Sequence, residues 1–539
     1  MPTYDDPVTV SLQERTPQPP VLDDEERADL RRRLCPPMPD DGWWGWIGPL
    51  AVTVLAAILR LTHLGRPHAI IVDETYYVKD AFGLLKFGSE QGTVAGADDK
   101  ILAGNLDIFN GSPGYVVHPP FGKWVIASGE GLIGMTPWGW RLPVAIVGIV
   151  SVLVLARVVR RMTRSTLLGT TAGLLMSLDG LHLVMSRTAY LDIVLMLCVL
   201  VAFGCLVVDR DRVRERALAW AEARGGLGGM GHHESGPSFG FRPWRLGAGV
   251  ALGLACGTKW SGVFYLAAFG LLMLWWDRQA RAAVGVRHPT ATVLKKDTLP
   301  GFLSVGVTGV VVYVMTWSGW LLTDKGYDRQ WAETYGGDSH FGFIPNAFRS
   351  LWHYHAQMLA SSNSITQGHS YASPPAKWLI LGRPVAFFSQ NKPLCGAESC
   401  VQTVTALGNP VIWWASVFAL FWCVWLLAAR HDWRAGSALV GVAAGWLPWF
   451  WFSYHGHRTV FQLYSVVFLP FLVLAIVLLL GAVLGPADSD PRRRAWGASI
   501  AGGYLLAVVL VAAMFWPIWT AAPITYDHWL SLMWYPTWI

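Results

Sequence analysis

Charge is what this sequence has least of. Asp, Glu, Lys and Arg make up 14% of its 539 residues, against 53% apolar residues. A soluble domain carries about a quarter charged residues, and a disordered chain is far less apolar, so both classes are excluded. Cysteine is also scarce: seven residues are too few for a disulfide scaffold in a chain of this length. The formal net charge of +6 is mild and leaves no electrostatic footprint for nucleic acid. No basic start leads directly into an apolar core, so no cleavable signal peptide is expected. The glycine run Gly225, Gly226, Gly228, Gly229, Gly231 lacks the Lys-Ser/Thr ending of a phosphate loop and reads as flexible linker, together with His232-His233.

What the chain has in abundance is tryptophan, 30 residues, and apolar runs that give a mean hydropathy of +0.37. Repeated stretches of roughly 20 apolar residues mark helices that satisfy their own backbone in lipid. Spans are expected at about 43–64, 141–159, 167–181, 189–208, 302–322, 410–428, 436–453, 461–482 and 496–515. Residues 244–276 are too long for one span and break at Gly257-Thr258-Lys259, giving two short helices. The expected fold is therefore an all-α polytopic membrane protein of about eleven spans. Arg31-Arg32-Arg33, Arg160, Arg161, Arg164 and Arg492-Arg493-Arg494 mark the cytoplasmic side.

This parity divides the chain into a flexible cytoplasmic tail, 1–42, and an amino-terminal membrane module, 43–322, that includes an extracytoplasmic loop at 65–140. A large extracytoplasmic loop at 323–409 and a carboxyl-terminal membrane module at 410–539 follow. Within the first loop, residues 75–88 and 122–135 are apolar but too short to cross, and read as interfacial helices. Trp43, Trp44, Trp413, Trp516 and Trp534 suit the headgroup boundary as anchors.

The unusual polar residues gather on one side. Asp73, Glu74, His118, Arg141, Arg187, Asp192, Lys259 and Arg458 fall in outer loops or within a turn of an outer helix end. Ionisable groups beside hydrocarbon are costly unless solvated, paired or liganded, and an outward-facing cavity supplies all three conditions. Arg141, Lys259 and Arg458 suit an anionic phosphate. Asp73 suits a general base. For each of these a span-end salt bridge is the plain alternative. His118 sits against Pro119 and Pro120, so a structural imidazole serves as well as a substrate contact. Asp192 either pairs with Arg187 or lines the cavity. His353 and His355 have no located carboxylate partner, and no metal is expected. Cys395 and Cys400 lie close together in an outer loop, where a local disulfide is one reading and free thiols the other.

Several stretches carry a family resemblance. Asp73-Glu74 after the first span, Val117-His118-Pro119-Pro120-Phe121-Gly122-Lys123, Gly139-Trp140-Arg141-Leu142-Pro143, Ser186-Arg187-Thr188-Ala189-Tyr190-Leu191-Asp192 and Thr258-Lys259-Trp260-Ser261-Gly262 resemble the protein O-mannosyltransferases. Tyr371-Ala372-Ser373-Pro374-Pro375, Gly382-Arg383-Pro384 and Arg458-Thr459-Val460-Phe461-Gln462-Leu463-Tyr464 are similar to its actinobacterial branch. The resemblance runs from Trp43 onward. It implies a GT-C glycosyltransferase fold, with 43–322 as the catalytic module, in the bacterial plasma membrane and with the active site outside. It implies transfer of mannose from polyprenyl phosphate mannose to Ser/Thr hydroxyls of secreted or membrane proteins, with inversion and without a cofactor. Under it Asp73 is the catalytic carboxylate; Glu74 and His118 contact the acceptor; Arg141, Lys259 and Arg458 hold the donor phosphate. Arg187, Asp192 and Tyr464 are cavity or structural residues, and the secretion translocon is a transient partner. The region 323–409 is too short for the soluble trefoil-like insertion of eukaryotic members.

Two other readings stand beside this one. A polyprenyl-phosphate-sugar transferase acting on cell-wall glycan or lipid would need a similar carboxylate and phosphate clamp. A transporter fits the number of spans, but no inverted halves or paired broken spans are visible in the sequence.

Overall fold

The structure, a computed structural model, describes residues 23–224, 236–336, 342–391, 395–486 and 488–539. The first 22 residues of the expected tail, the Gly225–Gly231 run and His232-His233 lie outside them. Among the described residues seven helices are long and apolar enough to cross a membrane: Trp44–Leu61, Pro137–Thr163, Leu191–Glu222, Thr298–Thr316, Pro410–Arg430, Trp433–Tyr454 and Pro491–Thr520. A pair bent by 66°, Thr166–Ser177 with Gly180–Ser186, makes an eighth. The remaining expected spans are the helices Pro243–Cys256, Gly262–Ala283 and Leu469–Leu484. The first and last of these, at 14 and 16 residues, are about 21 and 24 Å long, short of a hydrocarbon core about 30 Å thick. Every apolar run picked out in the sequence thus forms helix, and the chain is a multi-pass membrane protein.

Burial sorts these helices. The apolar window of Leu191–Glu222 is 72% buried, whereas that of Thr298–Thr316 is 17% buried. The first is the central post and the second faces lipid. Leu469–Leu484 is buried along most of its length, which lets a helix too short for a full span sit inside the bundle. The two interfacial helices form at Glu74–Phe87 and Phe121–Ile133 and pack on each other. Gly88 stops the first with φ of +76°, a left-handed conformation that glycine adopts without a Cβ clash. The region 323–409 is compact rather than loose. It holds the helix Asn346–Asn363 and the antiparallel strands Val385–Asn391 and Cys400–Ala406, with Ile524–Thr525 added at the edge. Cys395 and Cys400 are joined in a disulfide across this turn.

The break in the bent pair exposes polar backbone inside the bundle, and two side chains satisfy it. Arg60, fully buried, donates to the carbonyls of Met176 at 3.4 Å and Ser177 at 3.5 Å and to His182 Nδ1 at 2.6 Å. Asp179 accepts from the backbone N–H of His182 at 2.9 Å and of Asn409 at 3.0 Å, and from Trp413 Nε1 at 2.8 Å. That carboxylate ties the amino-terminal half of the bundle to the start of Pro410–Arg430. Replacing Asp179 by Ala leaves three buried donors without an acceptor, and hydrogen bonds to charged groups are worth about 1.5–3 kcal/mol each. The variant should lose at least about 3 kcal/mol of stability, read as a lower thermal unfolding midpoint in detergent. A wild-type midpoint would refute this role.

Candidate functional site

A cavity of about 900 Å3 opens between the two interfacial helices, the turn at residues 257–261, the helix Asn346–Asn363 and the segment before Leu469–Leu484. Asp73, His118, Asp192, Lys259, Arg458 and Tyr464 all line it. Six residues singled out in the sequence, separated by up to several hundred positions, are therefore brought together. Glu74, Arg141 and Arg187 are not among its walls.

The loop carrying Asp73 is shaped by those other three. Arg187 donates from Nη1 to the carbonyls of Leu59, Arg60 and Thr62 at 3.1, 2.8 and 2.8 Å, and from Nη2 to His63 at 3.1 Å. It thereby satisfies the orphan carbonyls at the end of Trp44–Leu61. Arg141 continues along the same loop, giving Nη1 to Leu64 O and Pro67 O and Nη2 to Ala69 O at 2.8 Å. Its Nε and Nη2 also grip Glu74 Oε1 and Oε2, both at 2.8 Å. All five guanidinium N–H groups are used. Glu74 in turn accepts from the backbone N–H of Ile71 at 3.1 Å and of Ala189 at 3.0 Å.

Two expectations are corrected here. Glu74 and Arg141 are both fully buried and spend their hydrogen-bonding capacity on each other and on backbone. Glu74 does not face an acceptor, and Arg141 does not face a donor phosphate. The pair is a clamp. It holds Val72, a β-branched residue, at φ of +46° directly before Asp73. That left-handed conformation costs of order 1–3 kcal/mol and needs surrounding structure to impose it.

Asp73 occupies the N-cap position of Glu74–Phe87 but makes no capping hydrogen bond, which leaves its carboxylate free to turn into the cavity. Tyr77, one turn further on, donates to Asp73 Oδ2 at 3.4 Å, and Tyr190 hydrogen-bonds the same carboxylate. Burial pushes the Asp73 carboxyl above its ordinary range, while the Tyr190 hydroxyl and the charge of Lys259 pull it back. Lys259 is paired with Asp192 at 2.6 Å, so the tentative Asp192–Arg187 pairing does not form. His118 is half-buried, and burial, with Lys259, Lys123 and Arg458 nearby, holds its imidazole neutral. Arg458 makes no ion pair and no side-chain hydrogen bond among the described residues; its guanidinium lies 5.5 Å from the Trp449 ring. Tyr464 packs on that same Trp449, centroids 4.7 Å apart.

The sequence assigned no role to Asp80, Lys123 and Glu90; the first two line one wall of the cavity, and Glu90 joins them from outside it. Lys123 contacts Glu90 and lies 3.6 Å from Asp80, whose carboxyl burial pushes up despite that lysine. Tyr77 had a signal, four residues after Asp73; the others are joined only by the fold. The His353 and His355 of the unassigned imidazole run sit on one helix. His353 stacks on Trp331, while His355 lines the cavity with Tyr313 Oη 2.5 Å from its Nε2. Among the described residues, no group of three or more His, Cys, Asp or Glu is placed to hold a metal.

Comparison with known proteins adds the rest. Residues 117–236 match the family described as dolichyl-phosphate-mannose-protein mannosyltransferase, and residues 347–538 match the C-terminal four-span region of protein O-mannosyltransferase. A polyprenol-phosphate-mannose–protein mannosyltransferase of Mycolicibacterium smegmatis is 39% identical over 513 residues, 93% of this chain and 94% of that protein. The chain belongs to the protein O-mannosyltransferase family. The Mycobacterium tuberculosis relative of the same name is 37% identical over 93% of each chain, and that of Corynebacterium glutamicum 31% identical over 96% and 99%. Among solved structures, a chain of the S. cerevisiae Pmt1-Pmt2 complex bound to the sugar donor superposes with a TM-score of 0.69 at 14% identity, covering 97% of this chain and 95% of that one. An Archaeoglobus fulgidus oligosaccharyltransferase reaches 0.50 at 11% identity, over 92% and 58%. The fold is that of the GT-C glycosyltransferases.

The clamp has a measurable signature within this mannosyltransferase fold. Replacing Glu74 by Ala strands a buried guanidinium, and breaking such a pair costs about 3–5 kcal/mol. In a double-mutant cycle with Arg141→Ala, the combined variant should be less destabilised than the sum of the two by about 2 kcal/mol. Wild-type stability with only a raised KM for peptide would return Glu74 to the acceptor site.

Proposed function

We propose that the chain transfers mannose from polyprenyl phosphate mannose to Ser and Thr hydroxyls of proteins, at a cavity on the extracytoplasmic face of the bacterial plasma membrane. The observation that carries this reading is one cavity holding a carboxylate, Asp73, and a guanidinium, Arg458, neither of which forms an ion pair among the described residues. The transfer needs one group that takes a proton from the acceptor and another that receives a phosphate. The curated relatives are named for the same donor and for protein acceptors.

Asp73 takes the hydroxyl proton while the acceptor oxygen attacks the anomeric carbon. The bond from that carbon to the phosphate oxygen breaks, and the polyprenyl phosphate leaves with the bonding pair. One displacement inverts the configuration. Arg458 meets the charge that develops on the leaving phosphate, and Lys259, in the same cavity, adds less because Asp192 is paired with it. His118, kept neutral, serves as a hydrogen-bonding contact for the acceptor. Val263, Leu266 and Phe452 make the cavity wall apolar where the lipid carrier would enter. The reaction as written runs on this chain's own charges and calls for no metal or cofactor. An acceptor threading from the secretion translocon would reach this face.

The decisive assay supplies labelled polyprenyl phosphomannose with a Ser/Thr peptide or with a cell-wall glycan. Label should pass to the peptide; transfer to glycan alone would overturn the reading. Asp73→Asn should lower kcat by about 10²–10⁴-fold. In the wild type the base must be ionised, so kcat/KM rises with pH through the Asp73 pKa, and burial puts that limb above the unperturbed 3.8. Arg458→Ala should lower kcat by about 10²–10³-fold through loss of leaving-group stabilisation. Unchanged donor kinetics in that variant would remove Arg458 from the mechanism.

A further inference from the structure

A second, smaller cleft opens far from Asp73. It holds about 240 Å3 between residues 209–216 of the long central helix and residues 241–244, which lead into Pro243–Cys256. The helix Leu191–Glu222 begins beside the catalytic cavity at Asp192 and rises about 1.5 Å per residue, which places Asp209 and Arg216 about 26 and 36 Å further along. That distance spans a hydrocarbon core about 30 Å thick, so the cleft lies at the opposite boundary of the membrane.

The floor of the cleft is electrically closed. Arg242 and Arg245 each contact both Asp209 and Asp277, with Arg242 to Asp277 Oδ1 at 2.9 Å and Arg245 Nε to Asp209 Oδ2 at 3.2 Å. Two buried cations balance two buried anions. Above this floor stand two further guanidiniums, Arg212 and Arg216, that it does not neutralise. Arg216 gives one N–H to Phe241 O at 3.1 Å and forms no ion pair among the described residues. Arg212 meets Glu215 at 3.2 Å, with the two side chains 61% and 45% exposed. A pair so exposed holds little and yields readily to a better anion. At the mouth, Phe241 is 73% exposed and Trp244 42% exposed. Exposed aromatic rings at a membrane boundary belong at headgroup level. A phosphate diester at that level would meet both guanidiniums while its glycerol and acyl region covered the rings.

We propose that this cleft binds the phosphate-bearing headgroup of an anionic membrane lipid, on the membrane face opposite the catalytic cavity. A free phosphate would find the same two arginines, but the aromatic lip gives a lipid the advantage. The proposal is independent of the sugar-transfer reading.

The test uses the full chain in detergent, titrated with phosphatidylglycerol, phosphatidylcholine or inorganic phosphate, with bound ligand counted by native mass spectrometry. Arg212→Ala with Arg216→Ala should weaken phosphatidylglycerol binding by about thirtyfold, since each such charge contributes about fivefold. Arg32→Ala with Arg492→Ala removes the same charge from exposed sites elsewhere and should change binding less than about threefold. Thermal midpoints establish that both double variants are folded. Should the first not fold, Arg216→Gln alone should weaken binding about fivefold. Equal losses in the two double variants, no preference over phosphatidylcholine, or inorganic phosphate bound as tightly as the lipid would each overturn the proposal.

Discussion

The buried pair between Glu74 and Arg141 is the interaction on which the catalytic wall depends. The twelve residues of chain between the first span, ending at Leu61, and the first interfacial helix, starting at Glu74, must leave the membrane, turn and come back with Asp73 in one orientation, and local propensity does not specify that path. Arg141 supplies it by donating to three carbonyls of the loop and to both oxygens of Glu74. Val72 shows the force involved, because a β-branched residue stays at positive φ only where neighbours over-determine it. The pair draws stability from its geometry: the desolvated carboxylate has four donors and the desolvated guanidinium has an acceptor for every N–H, the condition under which burying charge is tolerable.

The same accounting separates structure from chemistry across the protein. Arg60, Arg141, Arg187, Arg242 and Arg245 are buried with terminal guanidinium nitrogens engaged by carbonyls, imidazole or carboxylates, Arg60 Nε alone among that residue's nitrogens lacking a partner among the described residues, and they hold helices in register. Arg458 is different, half-buried with an open guanidinium face. A side chain that folding leaves unmatched beside a membrane is one that a ligand can match. Lys259 lies between these classes: its partner Asp192 lowers its appeal to a phosphate but keeps the ammonium aimed into the cavity, 5.9 Å from the Tyr190 ring and 5.7 Å from the Tyr464 ring.

The helices were legible because lipid enforces them: an apolar run of span length has no other way to satisfy its backbone. The gathering of Asp73, His118, Asp192, Lys259 and Arg458 at one cavity was legible because these ionisable residues fall in loops or at helix ends of one parity while the arginine runs mark the other. Adjacent residues in a helix point about 100° apart, so facing the cavity with Asp73 does not bring Glu74 with it. Sequence spacing alone does not say which of the two turns inward, and that is why Glu74 was misplaced. Arg141 lies at a span end just as a phosphate ligand would, and only its neighbours in space reveal its task. The Asp192–Lys259 pair, 67 residues apart, has no local signature at all.

Three carboxylates line the cavity, and their partners rank them as bases. Asp192 is matched by the Lys259 ammonium at 2.6 Å, and taking a proton there would break a buried ion pair. Asp80 shares Lys123 with Glu90, so its charge is already bound into a local group of three. Among the described residues Asp73 is hydrogen-bonded by the hydroxyls of Tyr77 and Tyr190 and forms no ion pair, feeling Lys259 at longer range, so these groups orient the carboxylate without neutralising it. Its protonation therefore breaks no salt bridge, and partial burial has already made the proton welcome. A general base needs both properties at once, lone pairs free for an incoming hydroxyl and a proton affinity lifted toward the operating pH. Among the three, Asp73 alone combines them, and the Glu74–Arg141 clamp one residue away is what keeps it so placed.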